Sequence, residues 1–246
     1  MTVVVAGGTG GLGSDLVSEL TARGADVTPA SRRTGFDLAT GKGVADGLSS
    51  ADVIVHAARH PLRYRKVDLD GTRRMIRLAK DAGRRPHIVY VSIVGCDRNP
   101  YPYYRAKWAC EMVLSRSGLP VTVVRATQFH NLIATAAGAT RWPVAVVPPN
   151  AASQPCERRW IAQQLADITL GPAPEGYRRA TDLAGPGVVT VPDAVRLVCE
   201  MNGRRIPRLI TLPAVGGWLK AFAARTNLPG PDVLIGGKSF TDWLRG

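Results

Sequence analysis

The sequence predicts an α/β protein, a doubly wound parallel sheet with helices on both faces. Three observations carry this. Short apolar runs alternate with helical segments of ten or more residues along the first half of the chain. The first run, TVVVA at 2–6, passes directly into GGTGGLG at 7–13. That loop opens an amphipathic segment which leads into a second apolar run, the strand–loop–helix–strand order of a nucleotide-binding unit.

Each element has its own reason. Residues 2–6 are too few and too β-branched for a helix. Leu12, Leu16, Val17 and Leu20 then recur at helical spacing, and Arg23-Gly24 closes the segment. Strands are expected at 25–30, 52–57 (DVIVHA), 87–92 (HIVYVS) and 119–125 (LPVTVVR), with helices at 43–48, 68–82 and 103–117. Beyond Arg125 the rhythm changes. Residues 126–160 are rich in Ala and Pro, with one strand expected at 144–147. Helices follow at 159–169 and 189–201, with Pro192 in the first turn of the latter. A strand at 208–212 and helical pieces at 216–225 and 240–244 complete the reading. The whole chain reads as one domain, residues 1–246, in which about 126–160 and 185–246 build a small C-terminal substrate lobe.

Composition bounds the function. The chain has 246 residues, 45% hydrophobic and 21% charged, enough to bury a sizeable core. It lacks an 18-residue apolar run and a basic-then-apolar leader, so neither a membrane span nor a signal peptide is expected. Cys96, Cys110, Cys156 and Cys199 lie far apart without a CxxC pair, which fits reduced thiols in a cytoplasmic protein and no metal site. The net charge of +13 is spread over separated arginine pairs and no nucleic-acid motif accompanies it. A small-molecule partner, anionic if the cationic stretch after His60 receives it, is expected ahead of nucleic acid; oligomeric state is not readable.

The glycine loop carries the most specific chemistry. Gly8, Gly10 and Gly13 satisfy GxGxxG, and Gly7, Gly10 and Gly13 the looser GxxGxxG. Glycines allow the sharp turn, the approach of backbone to a pyrophosphate and the close seat of helix on sheet, while the helix N-terminus offers free N–H groups. Gly7, Thr9, Gly10, Gly11, Leu12 and Gly13 are therefore the expected cradle of a Rossmann-like site. The end of the second strand selects the nucleotide. An acidic residue there would suit NAD; the sequence reads Ser31-Arg32-Arg33, a hydroxyl and two guanidinium groups suited to the 2′-phosphate of NADP(H).

Further along, Tyr103 and Lys107 stand at i and i+4 at the start of a helix. A phenol titrates near pH 10, and a neighbouring ammonium favours its phenolate, which makes it a usable proton donor to a carbonyl under reduction.

With GGTGGLG at 7–13, DL at 37–38, HAAR at 56–59, VDLDGTRRMIRLAKDAG at 67–83, HIVYVSIVGCDRNPYPYYRAKWACE at 87–111 and SGLPVTVVRATQFHNL at 117–132, the chain resembles the atypical short-chain dehydrogenase/reductase superfamily. Within it the NmrA-like, NAD(P)-binding group is the most similar; DLAGP at 182–186 and the closing GGKSFTDWLRG extend the likeness over essentially the whole chain. The resemblance implies an NADPH-dependent oxidoreductase on a small carbonyl compound. Asp37 and Leu38 would lie against the adenine; Ala57, Ala58 and Arg59 would pass beneath the ribose; Val91 and Ser92 would support the nicotinamide side. Tyr103 would be the acid/base, and Lys107 would tune it and hold the nicotinamide ribose. Residues 126–129, with Thr127 and Phe129, would cover the nicotinamide, and His130 and Asn131 would look towards substrate. Trp142 is the further candidate for lining the pocket, and Ser92 is the nearest hydroxyl on the strand for the catalytic set.

Two positions depart from the family pattern. Active members carry a serine or threonine two positions beyond Ser92, where this chain has Val94, and a common proline is Ala126. The group also includes NADP-binding sensors without catalysis, so an enzyme and a non-catalytic NADP-binding regulator both stand as readings of the sequence.

Overall fold

The computed structural model describes residues 1–246 except 61, 141, 148–149 and 212–214. In chain order its elements begin β1 (Thr2–Ala6), α1 (Gly11–Ala22), β2 (Asp26–Ala30), α2 (Val44–Leu48), β3 (Val53–His56), α3 (Asp70–Asp81), β4 (His87–Ile93), α4 (Pro102–Ser115) and β5 (Val121–Ala126). They continue with α5 (His130–Gly138), β6 (Val144–Val147), β7 (Ala152–Ser153), α6 (Arg158–Leu170), β8 (Tyr177–Arg179), β9 (Asp182–Ala184) and β10 (Val189–Thr190). The last are α7 (Val191–Met201), β11 (Arg208–Thr211), α8 (Gly217–Ala223), β12 (Val233–Ile235) and α9 (Phe240–Arg245). The α/β class with a mostly parallel sheet is the fold the sequence predicts.

The chain divides into two compact units. The first comprises Met1–Ser92, Arg105–Arg125 and Ile161–Ala180; the second comprises Ile93–Tyr104, Ala126–Trp160 and Thr181–Gly246. The expected lobe segments fall in the second, which also takes 93–104 and 181–184.

In the first unit the strand order is β2-β1-β3-β4-β5. All β1 and β3 pairings are parallel, with Ala6 beside Ala30 on one side and His56 on the other. β8 lies parallel to the first half of β5, Val121 against Tyr177. Successive strand residues face opposite sides, yet Val3, Val4, Val5 and Ala6 are all buried, as are all four residues of β3. A strand buried on both faces needs cover on both, which explains the unbroken apolar runs in the sequence. One face packs Val4, Ala6 and Ile54 against Leu48 of α2 and Met75 of α3. Further along it, Ile88, Tyr90, Val121 and Val123 meet Ile76 and Ala79 of α3 with Cys110 and Leu114 of α4. The chain leaves β1 for β2, then returns to place β3 on the other flank of β1. Such a reversal opens a crevice at the carboxyl ends of the two strands.

One local feature departs from the expected pattern. The helix expected from residue 68 begins as a π-helical turn over Arg65–Leu69 before α3 proper. A wide turn of this kind places one extra residue in the coil of the helix and is common at functional positions. Here that turn buries Asp68.

In the second unit, β9 is parallel to β12 and meets the last residue of β5, Ala126 opposite Leu183. β6 pairs in parallel with β11, and β7 antiparallel with β10. The strand expected at 208–212 is β11, and Leu212 lies outside the described residues. A small core gathers Ala137 of α5, Ala194, Val195 and Val198 of α7, and Phe240 of α9. α7 starts as its sequence suggests, with Thr190 accepting a hydrogen bond from Asp193 N at 3.2 Å and Pro192 in the first turn. Elements β7, β9, β10, β12 and α5 were not legible as separate pieces in the sequence.

Candidate functional site

The glycine loop sits at the end of β1, in the crevice between β1 and β3. Gly7 has φ +87°, and a Cβ there would stand 2.7 Å from the Ala58 backbone. A Cβ on Gly13 would run into the Gly7 carbonyl oxygen. These two positions therefore exclude a side chain for steric reasons, one at the turn and one where α1 crosses the loop. Gly10 caps α1 with extended backbone and no side-chain hydrogen bond. The first-turn amides of Gly11, Leu12 and Gly13 have no carbonyl one turn back within the helix. A cradle free of side chains at an uncapped helix N-terminus fits a pyrophosphate. Thr9 and Gly11 are exposed on its rim, and Leu12 is buried beneath it.

The second strand ends in a compact device. Ser31 N donates to Thr34 Oγ1 at 2.9 Å, and the Ser31 hydroxyl accepts from Arg33 N at 3.2 Å, closing a single 3-10 turn over Arg32–Thr34. That turn leaves Arg32 and Arg33 exposed at the strand end. Asp37 follows, its Oδ1 accepting from Ala39 N at 2.9 Å. Partial burial pushes the Asp37 carboxyl up, but hydrogen bonds from Ala39 and Thr40 and the Arg32 charge outweigh it and hold the group below its ordinary value. Leu38 is buried, and its carbonyl accepts from the Arg74 guanidinium, which ties the loop to α3. Ala57 and Ala58 are half-buried where Gly7 touches them; Arg59 is exposed.

The helix α4 carries Tyr103, half-buried, and Lys107, 4% exposed. The Lys107 ammonium donates to the Val91 carbonyl oxygen at 3.1 Å and lies 4.8 Å from the centre of the Tyr90 ring. Its ion-pair partner is Asp68, with Nζ 3.2 Å from Oδ1 and both groups buried. The sequence reading missed Asp68, because nothing in VDLDGT marks one acidic residue as buried. Around the pair the Thr72 hydroxyl donates to the Asp68 carbonyl oxygen at 2.6 Å, so its oxygen is left to accept from His56 Nε2 at 3.1 Å. Burial, then the Lys107 charge, pushes the His56 imidazole down to about 3, so it is neutral at ordinary pH.

Ser92 is 2% exposed, and its hydroxyl donates to Glu111 Oε1. Glu111 also receives a two-pronged hydrogen bond from Arg125, Nε to Oε1 at 2.9 Å and Nη2 to Oε2 at 2.7 Å. The serine is thus part of a buried ionic knot joining β4, α4 and β5. Glu111 and Arg125 were not anticipated.

In the second unit, Val94 is fully buried and its N–H donates to the Ala126 carbonyl oxygen at 3.0 Å. Thr127 is buried and donates its hydroxyl to the Gln154 carbonyl oxygen at 2.6 Å. Phe129 caps α5 and is half-buried. The three residues expected at the substrate have different surroundings. His130 is 1% exposed, its Nε2 3.0 Å from the Lys238 carbonyl oxygen and its ring against Phe240 and Trp243. Asn131 is exposed in the first turn of α5, and Trp142 is 60% exposed with the Arg205 guanidinium over its ring. An unanticipated polar chain lies in the same unit: Gln128 Nε2 donates to the Tyr104 hydroxyl oxygen at 2.7 Å, and Asn227 donates to Gln128 at 3.5 Å. Among the described residues no cluster of His, Cys, Asp or Glu is placed to hold a metal ion, and no helix is long and apolar enough to cross a membrane.

A protein-family model described as NAD(P)H-binding matches residues 7–170, from the first glycine of the loop to the end of α6. The chain belongs to this NAD(P)H-binding family. No curated protein sequence matches it. Among solved structures, a nucleoside-diphosphate-sugar epimerase from Staphylococcus aureus is similar with a TM-score of 0.75 and 15% identity, covering 100% of both chains. The NADPH-dependent quinone oxidoreductase of Escherichia coli, solved with NADPH, has a TM-score of 0.70 and 16% identity, covering 100% of this chain and 99% of that one. A triphenylmethane reductase from Citrobacter sp. has a TM-score of 0.65 and 13% identity over 86% of this chain and 79% of that one. At such identities the likeness concerns the fold of this NAD(P)H-binding protein. That fold is the one the short-chain dehydrogenase/reductase resemblance implies.

Proposed function

We propose that the protein is an NADP(H)-dependent oxidoreductase acting on a small carbonyl compound, with Tyr103 as proton donor. The observation that carries this reading is α4, which sets Tyr103 one turn ahead of a buried, ion-paired Lys107. One turn of helix brings two side chains onto the same face, and an ammonium there stabilises the phenolate left after proton transfer. When bound, NADPH supplies the hydride. The loop Gly7–Gly13 would hold its pyrophosphate, with Ser31, Arg32 and Arg33 on the 2′-phosphate and Asp37 and Leu38 on the adenine. Ala57, Ala58 and Arg59 would lie under the ribose, Lys107 would hold the nicotinamide ribose, and Val91, Thr127 and Phe129 would flank the nicotinamide. Asn131 and Trp142 are the exposed residues left for substrate. The quinone oxidoreductase of the same fold holds NADPH, which supports the cofactor assignment.

A specific observation favours a second reading, a non-catalytic NADP-binding regulator. Val94 stands where the family places a carbonyl-polarising hydroxyl, and the neighbouring Ser92 hydroxyl is engaged by Glu111. One experiment separates the two: NADPH oxidation followed at 340 nm over a panel of aldehydes, ketones and quinones, for the wild type and Tyr103→Phe. The enzyme reading predicts turnover that falls by a factor on the order of 10²–10⁴ in the variant, with NADPH affinity retained. Binding without oxidation of NADPH across the panel favours the regulator, and full activity in Tyr103→Phe rejects the role of Tyr103.

A further inference from the structure

We propose that the first unit carries a trough for the phosphodiester backbone of single-stranded nucleic acid, formed by cations of α3, α4 and the loops that follow them. The site is separate from the nucleotide cradle and does not rest on the oxidoreductase reading. The glycine loop stands at the carboxyl end of β1, whereas the trough surrounds residues 83–85 and 117–119, at the amino ends of β4 and β5. In a parallel sheet these are opposite ends.

Two adjoining cavities make the trough. One of about 330 Å³ lies between α3 and α4; the other, about 300 Å³, continues round their ends, and Lys80 and Ser117 line both. Their walls hold six cations, Arg73, Arg77, Lys80, Arg84, Arg85 and Arg116, against one carboxylate, Asp81. The sequence scatters these cations and the fold collects them. Of the pair Arg73-Arg74, Arg74 turns to the Leu38 carbonyl while Arg73 lines the trough. Arg73, Arg77 and Lys80 stand at i, i+4 and i+7, one stripe rising about 10 Å along α3. Arg84 donates to the Ala51 carbonyl oxygen at 3.1 Å and Arg85 to that of Gly118 at 3.0 Å, which anchors both at the lower end. Arg77, Lys80 and Arg116 are exposed and make no side-chain hydrogen bond or ion pair among the described residues.

Folding alone does not ask for this stripe. The carbonyl ends of helices attract cations, which accounts for Lys80 and Arg116 at the ends of α3 and α4. Arg73 is instead the fourth residue of α3, where the helix field disfavours a cation, and Asp70 at 3.3 Å is its one counter-charge among the described residues. Like charges four residues apart, as Arg73 and Arg77 are, also destabilise a helix. A multiply charged anion relieves both strains. The lining selects its class. The core of a protein–protein interface is depleted of charge, and a small-molecule pocket is mainly apolar. Here the apolar Ile76 and Leu119 are buried beneath a rim of cations. A planar bilayer does not enter a cleft. Five of the six cations are guanidinium groups, whose fork matches phosphate oxygens, and the stripe is longer than one phosphate. No aromatic side chain lines the trough among the described residues, so bases are neither stacked nor read and binding is independent of sequence.

The test is fluorescence anisotropy of a labelled single strand of roughly 20 nucleotides titrated with the full chain at 50 and 200 mM salt, with and without saturating NADPH. If the four cations of the first cavity each meet a phosphate, wild-type affinity falls roughly fifty-fold between the two salt concentrations. Arg77→Glu/Arg116→Glu should lose about tenfold or more at the lower salt and show a shallower salt dependence. Arg77→Gln/Arg116→Gln, the milder change, should fall between this variant and the wild type, and it decides the matter if the charge reversal fails to fold. Lys220→Glu/Arg245→Glu changes net charge equally at exposed cations of the second unit and should keep the wild-type salt dependence. Equal losses in the trough and control variants, or no binding by the wild type at 50 mM salt, would overturn the proposal. Displacement of the strand by NADPH would also overturn it, by placing the strand in the glycine cradle. Competition by poly-glutamate as effective as that of unlabelled strand would make the trough a protein-docking surface and reject the nucleic-acid assignment.

Discussion

Two buried ion pairs lie along α4, and they are built in opposite ways. Glu111 and Arg125 meet through two parallel hydrogen bonds, with Ser92 donating to the same carboxylate. Asp68 Oδ1 lies 3.2 Å from the Lys107 ammonium, which also donates to a main-chain carbonyl. The first pair has a cation that cannot give up its proton; the second has one that can. The comparison suggests a division of labour on one helix. The arginine knot ties β4, α4 and β5 together, and the lysine pair sets a buried ammonium beside the Val91 carbonyl of β4.

The comparison can be broken most forcefully at Glu111. Glu111→Gln leaves a guanidinium buried without its counter-charge, which costs about 3–5 kcal/mol. In a chain of this size that is a fall in Tm of roughly 10 °C, measurable by calorimetry. Asp68→Asn should cost less stability than Glu111→Gln, and the gap should widen as pH rises and Lys107 sheds its proton. Equal losses in the two variants would erase the distinction between the pairs.

Acid sharpens the same contrast with a smaller effect. His56 is held neutral beside Lys107, with its folded value near 3 against an ordinary 6.5, and burial similarly holds His87 near 4. The unfolded chain therefore binds more protons than the folded one between these limits, so stability falls as pH drops from about 6.5 towards 3. Tm measured from pH 7 to pH 4 should decline, and His56→Gln should decline less steeply. An unchanged slope in that variant would remove His56 from the account.

These differences also explain what could be read in advance. The proposed nucleotide cradle is contiguous in sequence and made of main chain, so Gly7, Gly10 and Gly13 mark it by their absence of side chains. Strand and helix assignments in the first unit followed from runs long enough to show a period, such as Leu12, Leu16 and Leu20 of α1. The ion pairs are side-chain contacts between separate elements, Ser92 to Glu111 and Glu111 to Arg125, and no local pattern encodes them. In the second unit, β7 and β10 have two residues each and β9 and β12 three, too short for periodicity. α5 lacks a polar cap, since Phe129 precedes it without a side-chain hydrogen bond, so its start carries no signal.

The exposed cations at the end of β2 complete the contrast, because Arg32 and Arg33 stand open to solvent where the pairs of α4 are closed. The central claim is that this NAD(P)H-binding protein works with NADP(H), and it is tested most directly by equilibrium titration with NADPH and NADH of the wild type and Arg32→Ala/Arg33→Ala. The account predicts tighter binding of NADPH by the wild type and a preference that collapses in the double variant while NADH affinity is little changed. Equal affinities for the two nucleotides in the wild type, or a preference that survives loss of both arginines, would contradict it.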